Sequence, residues 1–141
     1  MKRCLIPFFT ILIASLGAGK ASAQGVNLTV EGVRNDRGQI VVLIFDDAEA
    51  FEYLAYEWAV GYAALPAQPG SLSYGFADLT SGPYAIFVYH DENSDWDVNY
   101  SGDRLLEGIG ASGAPNPDDM PDFAAASVAT GLVTVTLHYD E

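Results

Sequence analysis

The chain is patterned in short apolar stretches broken by Gly, Pro, Asn and Asp, the pattern of a mainly-β domain. Val26, Leu28 and Val30 alternate with polar residues and predict a first strand. Asn35-Asp36-Arg37-Gly38 is a turn cluster, and Ile40 to Phe45 is an unbroken apolar run. Such a run, rich in β-branched residues, predicts a central strand covered on both faces. Two runs around so short a turn predict a hairpin. From Ala48 to Tyr62 the period changes: Phe51, Leu54, Ala55, Trp58 and Ala59 recur at helical spacing. They predict a helix of about three turns, capped by Asp46 or Asp47 and packed on the sheet. Phe51 and Trp58 are assigned to the core, Tyr53 and Tyr56 to the surface.

A loop through Pro66 and Pro69 leads to a strand over Ser71 to Leu79. Ser81-Gly82-Pro83 then turns the chain into Tyr84 to Tyr89, a second strongly apolar strand ending at His90. In the last strand Val133, Val135, Leu137 and Tyr139 point one way, and Leu132, Thr134, Thr136 and His138 the other, with His138 expected to be exposed. Between these strands, Asp91 to Asp122 has almost no periodicity and is rich in Asp, Gly, Pro and Asn. Segments of that length inside a compact domain are more often functional than not. A short helical turn is expected at Phe123 to Ser127, with Asp122 as its cap. The fold expected is mainly β, with one helical insertion and a long acidic loop.

The first residues belong to a different pattern. Lys2 and Arg3, an apolar run of 12 residues from Leu5 to Leu16, and Ala21-Ser22-Ala23 read as a signal peptide over residues 1–23. That leaves one domain over residues 24–141, exported through a Sec-type signal and periplasmic or secreted. The run is shorter than the ~20 residues a spanning helix needs, so no membrane span is expected after leader cleavage. The only cysteine, Cys4, lies in the leader, which removes disulfide and thiol chemistry from the mature domain.

The chain has 141 residues, with six Lys and Arg against 19 Asp and Glu and a net charge of -13. Cleavage removes three bases and no acid, so the mature charge falls to -16, with Arg34, Arg37 and Arg104 as the only cations. Without a basic patch, nucleic acid and anionic lipid are poor partners, no nucleic-acid partner is expected, and cations are favoured. Nine of the acids fall between Asp91 and Asp122.

The start of that acidic segment carries candidate chemistry. Asp91, Asn93, Asp95, Asp97 and Asn99 place an oxygen-bearing side chain at every second position. Ca²⁺ takes six to eight oxygens, and a curling loop supplies them from alternating positions, as an EF-hand does from its first, third and fifth. Asp91, Asn93 and Asp95 match that opening. Trp96 stands where the EF-hand has its turn glycine, and Gly102 where it has its bidentate Glu; Asp103 or Glu107 is the candidate to close the shell. A weak Ca²⁺-type site of about 10⁻⁴–10⁻³ M is the expectation.

His90 beside carboxylates suggests a general base, and a small hydrolase-like enzyme using His90, Asp91 and Glu107 is the alternative reading. Against it, His90 is in phase with Tyr84, Ile86 and Val88, as a hydrogen-bonded residue at the core rim would be, and no catalytic motif occurs anywhere. No catalytic residue is therefore assigned. Trp96 is expected to fold back and anchor its loop; the alternative is an exposed contact for a protein or carbohydrate partner. A third reading is an envelope-associated assembly subunit pairing through a strand edge.

Taken together, Gly38-x-Ile40-Val41-Val42, Asp78-Leu79-x-x-Gly82-x-Tyr84-Ala85, His90-Asp91-Glu92-Asn93, Glu107-Gly108-x-Gly110-x-Ser112 and Pro121-x-Phe123 resemble a family of exported bacterial proteins. It is catalogued as domain of unknown function family 2141. The resemblance implies an immunoglobulin-like or prealbumin-like β-sandwich with no established activity. Members usually continue after His-Asp-x-Asn with Asn-Gly-x-x-Asp; here Asp95-Trp96-Asp97 stands in that place, without the glycine. The function expected is an exported, non-enzymatic binding or structural module whose working surface is the loop after His90.

Overall fold

The computed structural model of the chain describes residues 24–116 and 120–141, and the expected signal peptide lies outside the described residues. In chain order the elements are β1 (Val26–Val33), β2 (Gln39–Phe45), α1 (Ala48–Glu52), β3 (Gly61–Pro66), β4 (Gly70–Phe76), β5 (Ala85–Asp91), β6 (Tyr100–Ser101), β7 (Arg104–Leu105), β8 (Gly108–Ala111), α2 (Phe123–Ala126) and β9 (Gly131–Thr136). One sheet has the order β4-β1-β9, and a second has the order β3-β2-β5-β8. β1 runs antiparallel to β4 and parallel to β9. All pairings in the four-stranded sheet are antiparallel.

The fold is mainly β, and alternation explains how its layers form. Val26, Leu28 and Val30 of β1, with Val133 and Val135 of β9, pack against Ile40, Val42, Ile44, Ile86 and Val88 from the four-stranded sheet. The intervening residues of β2 and β5, including Val41, Leu43, Phe45, Phe87 and Tyr89, form a second cluster with Phe51 and Ala126 from the two short helices. Both faces of these strands are therefore apolar, as their unbroken runs predict.

The expected hairpin does not form: β1 and β2 lie in different sheets. The difference is physical. β1 carries polar residues on one face, Asn27, Thr29 and Glu31, and suits a sheet with one face in solvent, whereas β2 is apolar on both faces. The segment between them crosses from one sheet to the other. Gly38 makes the crossing possible, with φ of 63° and a site where a Cβ would lie 1.9 Å from the Asp91 carbonyl oxygen.

The helical insertion is shorter than its periodicity predicts. α1 ends at Glu52, a 3₁₀ turn covers Tyr56–Trp58, and β3 has begun by Gly61, where a helix and then a loop were expected. Leu54, with φ of 46°, breaks the helix, and β3 pairs with β2 along its length. Asp47 caps α1, its Oδ1 accepting from Ala50 N, and Phe51 is buried as expected. Trp58 is not: it is 71 % exposed, beside the exposed Tyr53 and Tyr56.

The acidic segment is also more ordered than its composition suggests. It contains the β6–β7 pair and β8, which joins the edge of β5. β8 reads poorly as a strand because it is built on glycine for close packing; a Cβ on Gly110 would sit 2.4 Å from the Thr136 carbonyl oxygen. α2 follows with the expected Asp122 cap. His138 is half-buried rather than exposed, because its backbone bridges to Ile109 of β8.

Candidate functional site

The site begins where β5 ends. Consecutive strand residues point to opposite faces, so His90 and Asp91 diverge. His90 is fully buried on the inter-sheet side, its Nε2 donating to the Arg37 carbonyl oxygen at 2.7 Å and its Nδ1 2.9 Å from the Tyr139 hydroxyl. The carbonyl only accepts, so Nε2 carries a proton and, in the neutral ring, Nδ1 accepts from Tyr139. Around this pair, the Arg34 guanidinium lies 4.4 Å from the Tyr139 ring centroid and reaches Glu92 at 2.5 Å, and Arg37 also pairs with Glu92. Burial pushes the Glu92 carboxyl up, but hydrogen bonds from Arg34 and Asn35 and the two arginine charges outweigh it and hold the group below its ordinary range. Both ring nitrogens of His90 are thus engaged within the closed end of the core. His90, Asp91 and Glu107 do not meet around one reacting position.

On the other face, Asp91 is buried and organises the loop. Its Oδ1 accepts from Asp95 N at 3.0 Å, and its Oδ2 from Trp96 N at 3.0 Å and Gln39 Nε2 at 2.8 Å. Glu107, also buried, holds the other side: its two oxygens accept from Glu92 N at 2.9 Å and Asn99 N at 3.1 Å. Burial raises the Glu107 carboxyl above its ordinary value against those two hydrogen bonds, and the charges of Asp91 and Asp95 raise it further.

Of the five residues expected to ligate a cation, Asn93, Asp95 and Asn99 come together. Asn93 Nδ2 donates to Asp95 Oδ2 at 2.8 Å and to Asn99 Oδ1 at 2.9 Å, and Asn99 Nδ2 donates to Asp95 Oδ2 at 3.0 Å. Asp95 Oδ1 accepts from Asp97 N at 2.9 Å, and this bond with the two asparagine amides holds its carboxyl below the ordinary range. Asp91 meets the group through backbone N–H groups, and the exposed Asp97 carboxylate makes no hydrogen bond among the described residues. Among those residues, no group of three or more His, Cys, Asp or Glu side chains is placed to hold a metal ion. Trp96 nevertheless makes the turn that a glycine would make, with φ of 69°.

Trp96 is neither buried nor isolated. It is 55 % exposed and stacks on Tyr62 of β3, with centroids 6.4 Å apart and planes 27° from parallel. The pair borders a cleft of about 840 Å³ over the outer face of the four-stranded sheet. Buried Val41, Leu43, Phe87, Tyr89 and Ile109 line it, together with the exposed Tyr56, Tyr62, Trp96 and Tyr100 and the carboxylates of Asp95 and Asp97. Tyr89 ties floor to loop by donating its hydroxyl to the Trp96 carbonyl oxygen at 3.1 Å. The sequence showed Trp96 and the tyrosines separately; only the β2–β3 pairing brings Tyr62 to the loop after β5. The one signal available was the apolar second face of β2 and β5, which had to be covered by something.

A family model described as an uncharacterised protein conserved in bacteria, domain of unknown function family 2141, matches residues 28–137, and the chain belongs to that family. No curated protein and no solved structure matches the chain.

Proposed function

With family membership as the premise, we propose that the chain is an exported, non-enzymatic binding module of the immunoglobulin-like or prealbumin-like sandwich kind, with the loop after His90 as its binding surface. The leader motif at residues 1–23 supports export through a Sec-type signal, to the periplasm or the medium. The observation that carries the binding reading is how the loop is held. Asp91 and Glu107, both buried, fasten it through backbone N–H groups, while Trp96 is turned outward beside a cleft. Fixing a loop from beneath while presenting an aromatic to solvent suits recognition of a partner, protein or small molecule.

A Ca²⁺-type cation is part of the proposal, bound by oxygens of Asp91, Asn93, Asp95, Asp97 and Asn99. The opening of the loop and the left-handed turn at Trp96 support it. The ion would have to replace the hydrogen bonds linking Asn93, Asp95 and Asn99, which sets a weak site of about 10⁻⁴–10⁻³ M. The test is thermal unfolding in 10 mM CaCl₂ against EDTA. Binding of that strength stabilises the native state by about 1–3 kcal/mol, a midpoint rise of several degrees. Superimposed melting curves would overturn the calcium site.

A further inference from the structure

The cleft beside the loop has a chemistry of its own. Its rim is aromatic and open: Tyr56, Tyr62, Trp96 and Tyr100 are each at least half exposed. Exposed rings grouped around one concavity are unusual on a protein surface and mark a site of contact. Among the described residues, the charged groups lining the same cleft are two carboxylates, Asp95 and Asp97, and no Lys, Arg or His lines it. The Asp97 carboxylate makes no hydrogen bond or ion pair among the described residues, so its charge at the cleft is uncompensated. Arg34 and Arg37 are committed to Glu92 on the other side of β5. The charge presented at the cleft by its described lining is therefore negative.

We propose that this cleft binds a small organic cation of the quaternary ammonium class, held by the faces of Trp96, Tyr62, Tyr56 and Tyr100 and by the Asp97 and Asp95 carboxylates. The inference rests on the reading of the loop after His90 as a binding surface. Charge complementarity selects a cation, and the aromatic rim selects the kind. Aromatic faces attract alkylammonium groups, which shed water readily, and aromatic cages are how such groups are recognised. A compact metal ion would lose its hydration against an apolar floor without recovering enough ligands. A sugar would find stacking faces, hydroxyl donors and carboxylate acceptors here as well, so it is the uncompensated negative charge that favours a cation over it.

The test is calorimetric titration of the full mature protein with choline, in EDTA and again in CaCl₂. It is paired with Trp96 fluorescence in a Trp58→Phe background, Trp58 lying outside the cleft lining and exposed. The expected result is saturable binding. 3,3-Dimethylbutanol, the uncharged isostere of choline, should bind at least about tenfold more weakly. Trp96→Ala should weaken choline about 3- to 30-fold, and Asp97→Asn should weaken it and flatten its salt dependence. Tyr53→Ala, an exposed aromatic outside the cleft lining, should leave binding unchanged. Equal binding of choline and its neutral isostere would overturn the inference, as would no binding of choline at all. Binding of a maltooligosaccharide without choline binding would overturn the cation and keep the binding module. The calcium melting experiment contains no organic ligand, so it judges the loop separately.

Discussion

The two faces of the four-stranded sheet are made by alternate residues of the same strands, yet they are finished differently. The even positions of β2 and β5 meet a second sheet, and Ile40, Val42, Ile44, Ile86 and Val88 all lose contact with solvent. The odd positions meet two short helices and a loop, which cover Phe45 and Ala85 but leave a cleft beside Tyr62 and Trp96. Equal hydrophobicity in the sequence thus serves two ends. One face is closed and contributes stability; the other is partly open, and its remaining apolar surface is available to a ligand.

Substitution at matched depth should separate the faces most clearly. Ile86→Ala removes a fully buried side chain between two sheets that cannot collapse freely, and should lower stability by about 2–5 kcal/mol. Tyr62→Ala, at a residue about half exposed on the cleft rim, should cost about 1 kcal/mol or less. Urea unfolding midpoints compare them. Similar losses would mean that the cleft is as structural as the core.

The same contrast explains what the sequence could convey. Periodicity is a property of one strand, so the apolar runs at β2 and β5, the alternation of β1 and β9 and the Asp122 cap were legible residue by residue, and the first helix cap was narrowed to Asp46 or Asp47. What covers a face is a property of pairs distant in sequence. Tyr62 reaches Trp96 only through pairing of β3 with β2, and the helical spacing of Phe51 and Trp58 concealed that strand. The loop's acids were legible as a group but not in their roles. Nothing local distinguishes Asp91, buried and bound to backbone N–H groups, from Asp97, exposed at the cleft.

Electrostatics divides the faces as well, at the end of β5. Glu92 is held below its ordinary range by its arginine partners, so the stability it contributes is present above its unfolded pKa and is lost as pH falls through the folded one. Glu107, on the other side and without a basic partner, is raised, so the native state holds its proton more tightly than the unfolded chain does. Its contribution is therefore most favourable at low pH and declines as pH rises through the interval between the unfolded and folded values. Glu92→Gln should cost about 1 kcal/mol at neutral pH, and the gap from wild type should close below the carboxylate range. Urea unfolding at about pH 7 and pH 3 reads both values. A gap that persists in acid would assign the loss to packing rather than to the arginine pairs.

The smallest expected effect is the most informative, because it separates stability from use at one residue. Trp96 occupies the left-handed region, which costs a residue with a Cβ roughly 1–2 kcal/mol relative to the right-handed one. Its stacking on Tyr62 returns about 0.5–1.5 kcal/mol. Trp96→Gly relieves the first and forfeits the second, so its stability should lie within about 1 kcal/mol of wild type. Trp96→Ala forfeits the ring and keeps the backbone cost, so it should be less stable than the glycine variant by about 1 kcal/mol, the reverse of the usual ranking of Ala over Gly. Urea midpoints of the three proteins test the order, and an alanine variant more stable than the glycine one would remove the strain from the account. With the predicted order, a glycine would hold this turn about as well as the tryptophan does, and what the indole adds is its exposed face at the rim of the cleft.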